Sequence, residues 1–177
     1  LDGRIDRPTI DVLLASPMKA LGLRDVRAKL IPDASGYSYT AAGGSTLGPF
    51  TGRGVILLPQ GGQAVVRIAR IDVSGITASG DIRPVTGGLD GQLAVNGPVT
   101  GYISLKPVDA IQQVQLKLTA NDASFDGPTV IAVRRGTLDA TMLLDPSRTT
   151  LTATAQARGL RVGGVLLGRF AANADLV

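Results

Sequence analysis

Apolar and polar residues alternate along most of this chain, which is the pattern of strands that bury one face and expose the other. The clearest run is Val114–Ala120, in which four apolar residues are separated by Gln115, Lys117 and Thr119. Similar runs cover residues 76–83, 89–96, 138–157 and 166–176. The pattern predicts an all-β fold.

Turn residues separate these runs. Pro32–Gly36, Pro59–Gly62 and Asp145–Arg148 contain the Pro, Asp or Gly that tight turns favour. Short turns between alternating runs predict hairpins and a mainly antiparallel sheet, and the lack of long helical crossovers argues against a parallel α/β sheet. Only Ser16–Leu21, with a Ser N-cap followed by Pro, predicts a helical turn.

Glycine recurs between apolar residues of the runs, in Leu1–Ile5, Leu89–Leu93 and Leu166–Phe170. Gly91 and Gly168 are both expected on the apolar face, where a missing side chain lets the sheet curl or another group approach closely. Loose similarity between residues 73–82 and 157–166 fits stacked supersecondary units. We therefore predict a curved sheet with a small, aliphatic inner face.

The composition agrees with an aliphatic face. Hydrophobic residues make up 44% of the chain but aromatic residues only 3%, and there are 23 glycines. Large closed cores usually use aromatic side chains, each of which buries about 150–250 Å². An aliphatic surface suits contact with acyl chains, whereas a genome biased toward Ala, Gly and Arg codons would produce the same composition without that function.

The residue inventory excludes most site chemistry. Cys, His and Glu are absent, which removes thiol and imidazole catalysis, disulfides and ordinary zinc sites. The acids Asp81, Asp90, Asp139 and Asp145 are dispersed over polar faces and turns. We expect no catalytic residues, no metal and no cofactor. The glycine-dense stretch Ala41–Gly54 lacks the Lys-Ser/Thr pair of a phosphate-binding loop, so turn and strand glycines are expected there.

The net charge of +4 is spread thinly along the sequence. Only Arg134 and Arg135 are adjacent, so the sequence predicts neither a phosphate-binding stripe nor a nucleic-acid partner. The mild positive excess still favours anionic headgroups over neutral ones.

The segment Ala20–Phe50, with "GLRDVRAKL", "GYSY", "AAGGS" and "GPF", resembles the C-terminal domain of the TamB family, the translocation and assembly module of Gram-negative bacteria. The later stretches "VSGITASGDI", "LDGQLAVNG" and "ARGLRVGG" are similar to the glycine-punctuated strands of the same domain. Related AsmA-like bridge proteins share this patterning. The likeness covers nearly all of residues 1–177, which we expect to be a single segment of such a domain, cut from a longer chain.

The resemblance implies more than the pattern does. TamB-like proteins are anchored in the inner membrane and cross the periplasm as an elongated, U-shaped β-taco with a hydrophobic groove. The family is associated with phospholipid transport between the membranes and with outer-membrane assembly alongside TamA, a barrel protein. The resemblance therefore implies a periplasmic, non-enzymatic segment whose partners are phospholipid acyl chains and a TamA-like outer-membrane barrel.

We predict that the groove lining consists of apolar residues from the alternating runs: Ile76, Ile82, Leu89, Leu93, Val114, Leu116, Leu118, Leu138, Met142, Leu160 and Val162. Three alternatives remain open at this point. The same alternation is typical of a closed sandwich or barrel core. The sheet edges are also suited to hold unfolded outer-membrane strands by β-augmentation, and a purely structural segment would have a filled core.

Overall fold

The computed structural model describes residues 8–15, 23–45, 47–126, 129–145 and 148–176. These residues form twelve strands and no helix. The strands are β1 (Ile10–Leu14), β2 (Arg24–Asp33), β3 (Gly36–Ser45), β4 (Gly48–Leu57), β5 (Val65–Val73), β6 (Ile76–Val85), β7 (Gly88–Asn96), β8 (Val99–Val108), β9 (Ile111–Asp126), β10 (Val130–Leu144), β11 (Thr149–Val162) and β12 (Val165–Leu176).

All twelve strands belong to one sheet whose spatial order equals the chain order, and each neighbouring pair is antiparallel. The sheet is curved and unclosed, with β1 and β12 at its edges. The predicted all-β, antiparallel architecture is therefore confirmed. The predicted helical turn Ser16–Leu21 and the first glycine pentad, Leu1–Ile5, lie outside the described residues. Within the described ranges, no helix has the length and hydropathy to span a bilayer.

The predicted turns form where the sequence places them. Between β2 and β3, the Asp33 carboxylate accepts hydrogen bonds from the backbone N–H groups of Ser35 (2.8 Å) and Gly36 (2.9 Å). This is the Asx-turn geometry that favours Asp at such positions. The Gly62 N–H donates to the Pro59 carbonyl (3.2 Å), and the Arg148 N–H donates to the Asp145 carbonyl (3.2 Å).

Strand register gathers the apolar residues into rows that run across the sheet, perpendicular to the strands. The central apolar row contains one residue from every strand, and its only polar atom is the hydroxyl of Tyr39. Its members are Ile10, Leu30, Tyr39, Gly54, Ile68, Gly80, Leu93, Ile103, Leu116, Ala140, Ala153 and Ala174. The next row on this face, from Val12 to Ala172, is entirely apolar.

The opposite face is polar. From β5 to β12 one of its rows consists of Arg67, Asp81, Gln92, Ser104, Gln115, Thr141, Thr152 and Asp175. Because successive strand residues point to opposite faces, period-two alternation in twelve paired strands produces one apolar face and one polar face.

Alternation reverses once in the last strands. Ala157 and Leu160 both belong to the apolar face, although strict alternation would separate them, because Gly159 adopts a φ of +63° between them. Asp122 in β9 has a φ of +46° and marks the same reversal. The predicted alternating run from Leu166 to Leu176 is wrong at its start, because Leu166 pairs with Arg161 rather than with an apolar residue.

Gly91 shows how glycine brings neighbouring backbones together. It has a φ of +157°, and a Cβ at this position would lie 2.2 Å from the Asp81 carbonyl oxygen of β6. The predicted close approach is therefore confirmed at Gly91. Gly168 differs, because a Cβ there would meet nothing within 4 Å.

The best-packed part of the apolar face lies where β5–β9 meet the start of β10. Ile76, Val95, Val99 and Ala123 form a buried cluster, with Val133 and other half-buried apolar residues packed against them. This cluster is one layer thick, because it is built from neighbouring strands of the same sheet.

Candidate functional site

The predicted groove residues all lie on the apolar face. Register places Leu93 and Leu116 in the central apolar row and Leu118 and Leu138 in the next row. The remaining predicted residues occupy parallel rows on the same side of the sheet. These are Ile82, Val114 and Met142 in one row, Ile76 beside Val73, Leu89 opposite Pro84, Leu160 opposite Val133, and Val162 opposite Ile131.

Leu160 and Val162 reach this face only because of the reversal at Gly159. Leu160 pairs with Val133, which packs against the cluster that contains Ala123. Val162 pairs with Ile131, and Ile131 pairs with Phe125 of the same packed region. The structure therefore brings the predicted set together as one surface, while the role of that surface in lipid contact stays a prediction.

Burial of this surface falls from the middle of the sheet to its ends. Leu93 and Val95 are only 8% and 5% exposed, although no second layer covers them. Val95 belongs to the buried cluster with Ile76, Val99 and Ala123. By contrast, Val165 and Leu176 of the edge strand β12 are 61% and 60% exposed.

In the described part of the chain no second sheet and no helix lies over the apolar face, because all twelve strands belong to one unclosed sheet. Strands in substantial contact are either adjacent or next but one, such as β6 with β8 and β7 with β9. A sandwich would divide the strands between two sheets, and a closed barrel would pair β1 with β12. Large contiguous apolar patches on proteins are typical of surfaces that contact another molecule.

Sequence reasoning missed several residues of this surface. Ile103 and Leu105 of β8 stand between Leu93 or Gly91 on one side and Leu116 or Val114 on the other. Apolar and polar residues alternate in Val99–Val108, so the sequence pattern was sufficient to predict Ile103 and Leu105. Ile68 was harder to find, because a register shift between Ile68 and Ile71 breaks the alternation of β5.

Three acids of the polar face, Asp72, Asp81 and Asp139, lie in ion pairs. Arg67 donates two hydrogen bonds to Asp81, at 3.1 and 3.2 Å, and these lower the pKa of the Asp81 carboxyl group. Lys117 lies 3.7 Å from Asp139, its partner across the sheet. Asp90 of β7 is opposite Arg83 of β6. The lowered pKa of Asp81 keeps its carboxyl group ionised, whereas a general acid requires a raised pKa.

The described residues also have neither a candidate metal site nor a buried side-chain polar atom without a partner. They contain no group of three or more Asp side chains placed to hold a metal ion. They also contain no buried side-chain nitrogen or oxygen atom without a hydrogen-bond partner. The described residues of the glycine-dense stretch Ala41–Gly54 lie mostly in β3 and β4, and its strand glycines are as expected.

Comparison with known proteins adds no relative. A scan against protein-family models found no match, and searches of curated proteins and of solved structures found no significant match either. The likeness to the TamB family therefore remains an expectation from the sequence patterns, and the apolar face itself is the observation from which function is inferred.

Proposed function

We propose that this chain is a non-enzymatic segment of a lipid-transport bridge, whose apolar face shields phospholipid acyl chains from water. The observation that supports the proposal best is the central apolar row, which crosses all twelve strands of an unclosed sheet and has no covering layer among the described residues. An acyl chain lying on this face would complete the burial that the sheet leaves unfinished.

The energetics suit a passive carrier. Each methylene group removed from water contributes about 0.8 kcal/mol, so a tail of ordinary length is held by many small contributions and no single tight contact. The rows repeat similar aliphatic chemistry from strand to strand, so a lipid displaced by one strand spacing finds similar contacts. Headgroups would remain in solvent beyond the strand ends.

The finer parts of the proposal come from the resemblance to the TamB family. We infer a U-shaped β-taco with a hydrophobic groove, located in the periplasm as part of a protein anchored in the inner membrane. In that setting the groove would carry phospholipid between the inner and outer membranes, with a TamA-like barrel protein as partner. The curvature of the sheet and its one apolar face are compatible with this shape.

A pair of substitutions in β9 tests the lipid proposal. Leu116 lies in the central apolar row, and its neighbour Gln115 lies in the polar row. Protein purified without detergent from Gram-negative cells is analysed by native mass spectrometry. Leu116→Asp is expected to lower co-purified phospholipid about ten-fold or more, because a carboxylate is costly against hydrocarbon. Gln115→Asp, its matched control, is expected to retain the lipid.

The outcome that contradicts the proposal is equal lipid in both variants, or none in the unmodified protein. Circular dichroism must show the β content of Leu116→Asp unchanged. If that variant unfolds, Leu116→Gln, which is milder, takes its place in the same comparison.

The scaffold function is a second candidate, favoured by the free edge of β12. This strand is twelve residues long, contains no Pro or Lys, and leaves one side of its backbone without a strand partner in the described sheet. Long unprotected edges are templates for an added strand. A client strand of an outer-membrane protein would pair there through main-chain hydrogen bonds.

Proline substitution at Ala171 and, separately, at Ala172 tests the scaffold function. Of two successive residues in an edge strand, one directs its N–H to the neighbouring strand and the other to the free edge. The probe is a synthetic peptide with the alternating sequence of a barrel strand. The scaffold function predicts loss of peptide binding with unchanged fold in one of the two variants; full binding by both contradicts it.

A further inference from the structure

Strand register gathers arginines that are far apart in the sequence. Arg135 of β10 pairs directly with Arg158 of β11, and Arg158 pairs directly with Arg169 of β12. We call these three residues the arginine row; it continues on β9 as Asn121. The expectation that the basic residues form no stripe is therefore wrong for this end of the sheet, because the adjacency is between strands and not along the chain.

The arginine row forms one wall of a groove of about 590 Å³ on the polar face. Three consecutive rows of β9–β12 line the groove. The arginine row is one wall, and the row of Thr119, Thr137, Gln156 and Ala171 is the other. The row between them, which includes Ala157 and Phe170, points its side chains to the apolar face and supplies backbone as the floor. Hydroxyl and amide donors thus face the guanidinium groups.

Like charges directly opposite each other on neighbouring strands are destabilising, so the arginine row carries a cost. Three other cations of the polar face, Arg67, Arg70 and Lys117, each have an acid beside them. The closest comparison is the directly paired Arg53 and Arg70, where Arg70 binds Asp72 at 2.7 Å. The hydrogen bond from Arg70, together with the nearby charge of Arg53, lowers the pKa of Asp72.

No such acid serves the arginine row. Among the side chains that the structure describes, no carboxylate lies within 4 Å of Arg135, Arg158 or Arg169. All three arginines are exposed. The row therefore has the geometry of the Arg53–Arg70 pair, extended by one strand, without the counter-charge.

We propose that the arginine row is a binding site for phosphodiester anions, presented as the headgroups of anionic phospholipids at a membrane surface. Guanidinium groups bind phosphate oxygens through paired N–H donors, and three of them in register span two strand spacings, roughly 10 Å. A surface with many phosphates can occupy the whole row, whereas one free phosphate cannot.

The surroundings favour a lipid surface over a nucleic acid. Leu166, opposite Arg161 and just beyond the arginine row, is 63% exposed. An exposed aliphatic side chain beside arginines suits the boundary between headgroups and acyl chains. Binding of single-stranded nucleic acid relies on aromatic side chains for stacking, and the two walls of the groove contain none. The site lies on the face opposite the proposed acyl-chain surface, so the two proposals stand independently.

Vesicle binding tests the proposal. The protein is mixed with phosphatidylcholine vesicles, with and without phosphatidylglycerol, and bound protein is measured by co-sedimentation. Arg135→Gln, Arg158→Gln and Arg169→Gln together are expected to weaken binding to the anionic vesicles ~100-fold, because each lost arginine contact at such a surface costs about five-fold. Glycerol phosphate and inorganic phosphate are assayed in parallel and are expected to bind far more weakly than vesicles.

The matched control removes the same charge elsewhere on the polar face. Arg27→Gln, Lys29→Gln and Lys106→Gln together replace three exposed cations outside the groove. This variant is expected to lose less than about three-fold in affinity, since its charges lie far from the docked surface. An equal loss in both triple variants would reduce the effect to net charge and overturn the proposal.

Further results would also overturn it: equal binding to vesicles without phosphatidylglycerol, free phosphate binding as tightly as vesicles, or a single-stranded oligonucleotide binding more tightly at equal phosphate concentration. Folding does not confound the test, because removing like-charge contacts should leave the thermal unfolding midpoint unchanged or raise it. Leu116→Asp is expected to keep vesicle binding, so failure of this proposal and failure of the acyl-chain proposal are distinguishable.

Discussion

The middle of the sheet and its β11–β12 end are built from the same rows but packed to different degrees. In the central apolar row the middle contributes Ile68 and Leu93, both buried, whereas the end contributes Ala153 and Ala174, both half-buried. The middle has large aliphatic side chains with neighbours on both sides. The end has small side chains and finishes at a free edge.

The difference shows what produces burial in a single-layer sheet. A side chain in the middle has two sets of neighbours, one from the strands on each side. Because Ile68 lies between Gly54 and Gly80, these neighbours include side chains of the adjoining rows and not only direct strand partners. At the edge one of these sets is missing, and alanine cannot extend over its neighbours. The middle therefore stabilises the sheet, and the end keeps apolar area and backbone available for a partner.

Truncating one leucine in each region should show the largest effect. Leu93→Ala is expected to lower the free energy of unfolding by about 2–3 kcal/mol, because it opens a space in packed surroundings. Leu176→Ala removes the same atoms from a side chain that is 60% exposed, and should cost less than about 1 kcal/mol. Urea denaturation followed by circular dichroism measures both. Equal losses would show that the two regions are not packed differently.

Exchange of glycine for alanine is expected to have the next largest effect. Gly91→Ala would place a methyl group against the Asp81 carbonyl, at a φ that side chains rarely adopt, and should cost about 1–3 kcal/mol. Gly168→Ala, in the open end strand, should change stability by less than about 0.5 kcal/mol. The same denaturation assay applies, and a small effect at Gly91 would remove close backbone approach as the reason for its glycine.

Much of the apolar face was predictable, because alternation depends only on strand geometry. Val114, Leu116 and Leu118 share one face in any strand, and short turns force their neighbours to be antiparallel. The alternating pattern does not predict the positions at which the alternation itself is interrupted. The reversal at Gly159 and the register shift near Ile68 arise from local backbone conformation, and both changed which residues meet.

The arginine row could not be predicted from the sequence, for a related reason. Arg135, Arg158 and Arg169 are separated by more than ten residues each, and only the lengths of the two hairpins bring them together. A shift of one residue in either register would move an arginine to the other face. Prediction of such a site requires pairings, which composition and spacing do not contain.

The β1–β4 region provides a third packing arrangement and the prediction with the smallest effect. Tyr39 lies beside Gly54 in the central apolar row, and a Cβ on Gly54 would approach the Tyr39 hydroxyl oxygen to 2.8 Å, so the ring covers the glycine.

Partial burial raises the pKa of Tyr39. The neutral form is thus favoured in the folded state, and the associated stability is complete below pH ~10, the ordinary tyrosine value, and is lost as the pH rises through the raised folded-state pKa. Tyr39→Phe should reduce this alkaline loss in thermal unfolding, whereas Tyr102→Phe, on the polar face, should preserve it. If the unfolding temperature of Tyr39→Phe falls with alkaline pH as steeply as that of the unmodified protein, the Tyr39 ring is not shielded by its packing against Gly54 and resembles the exposed side chains of β12.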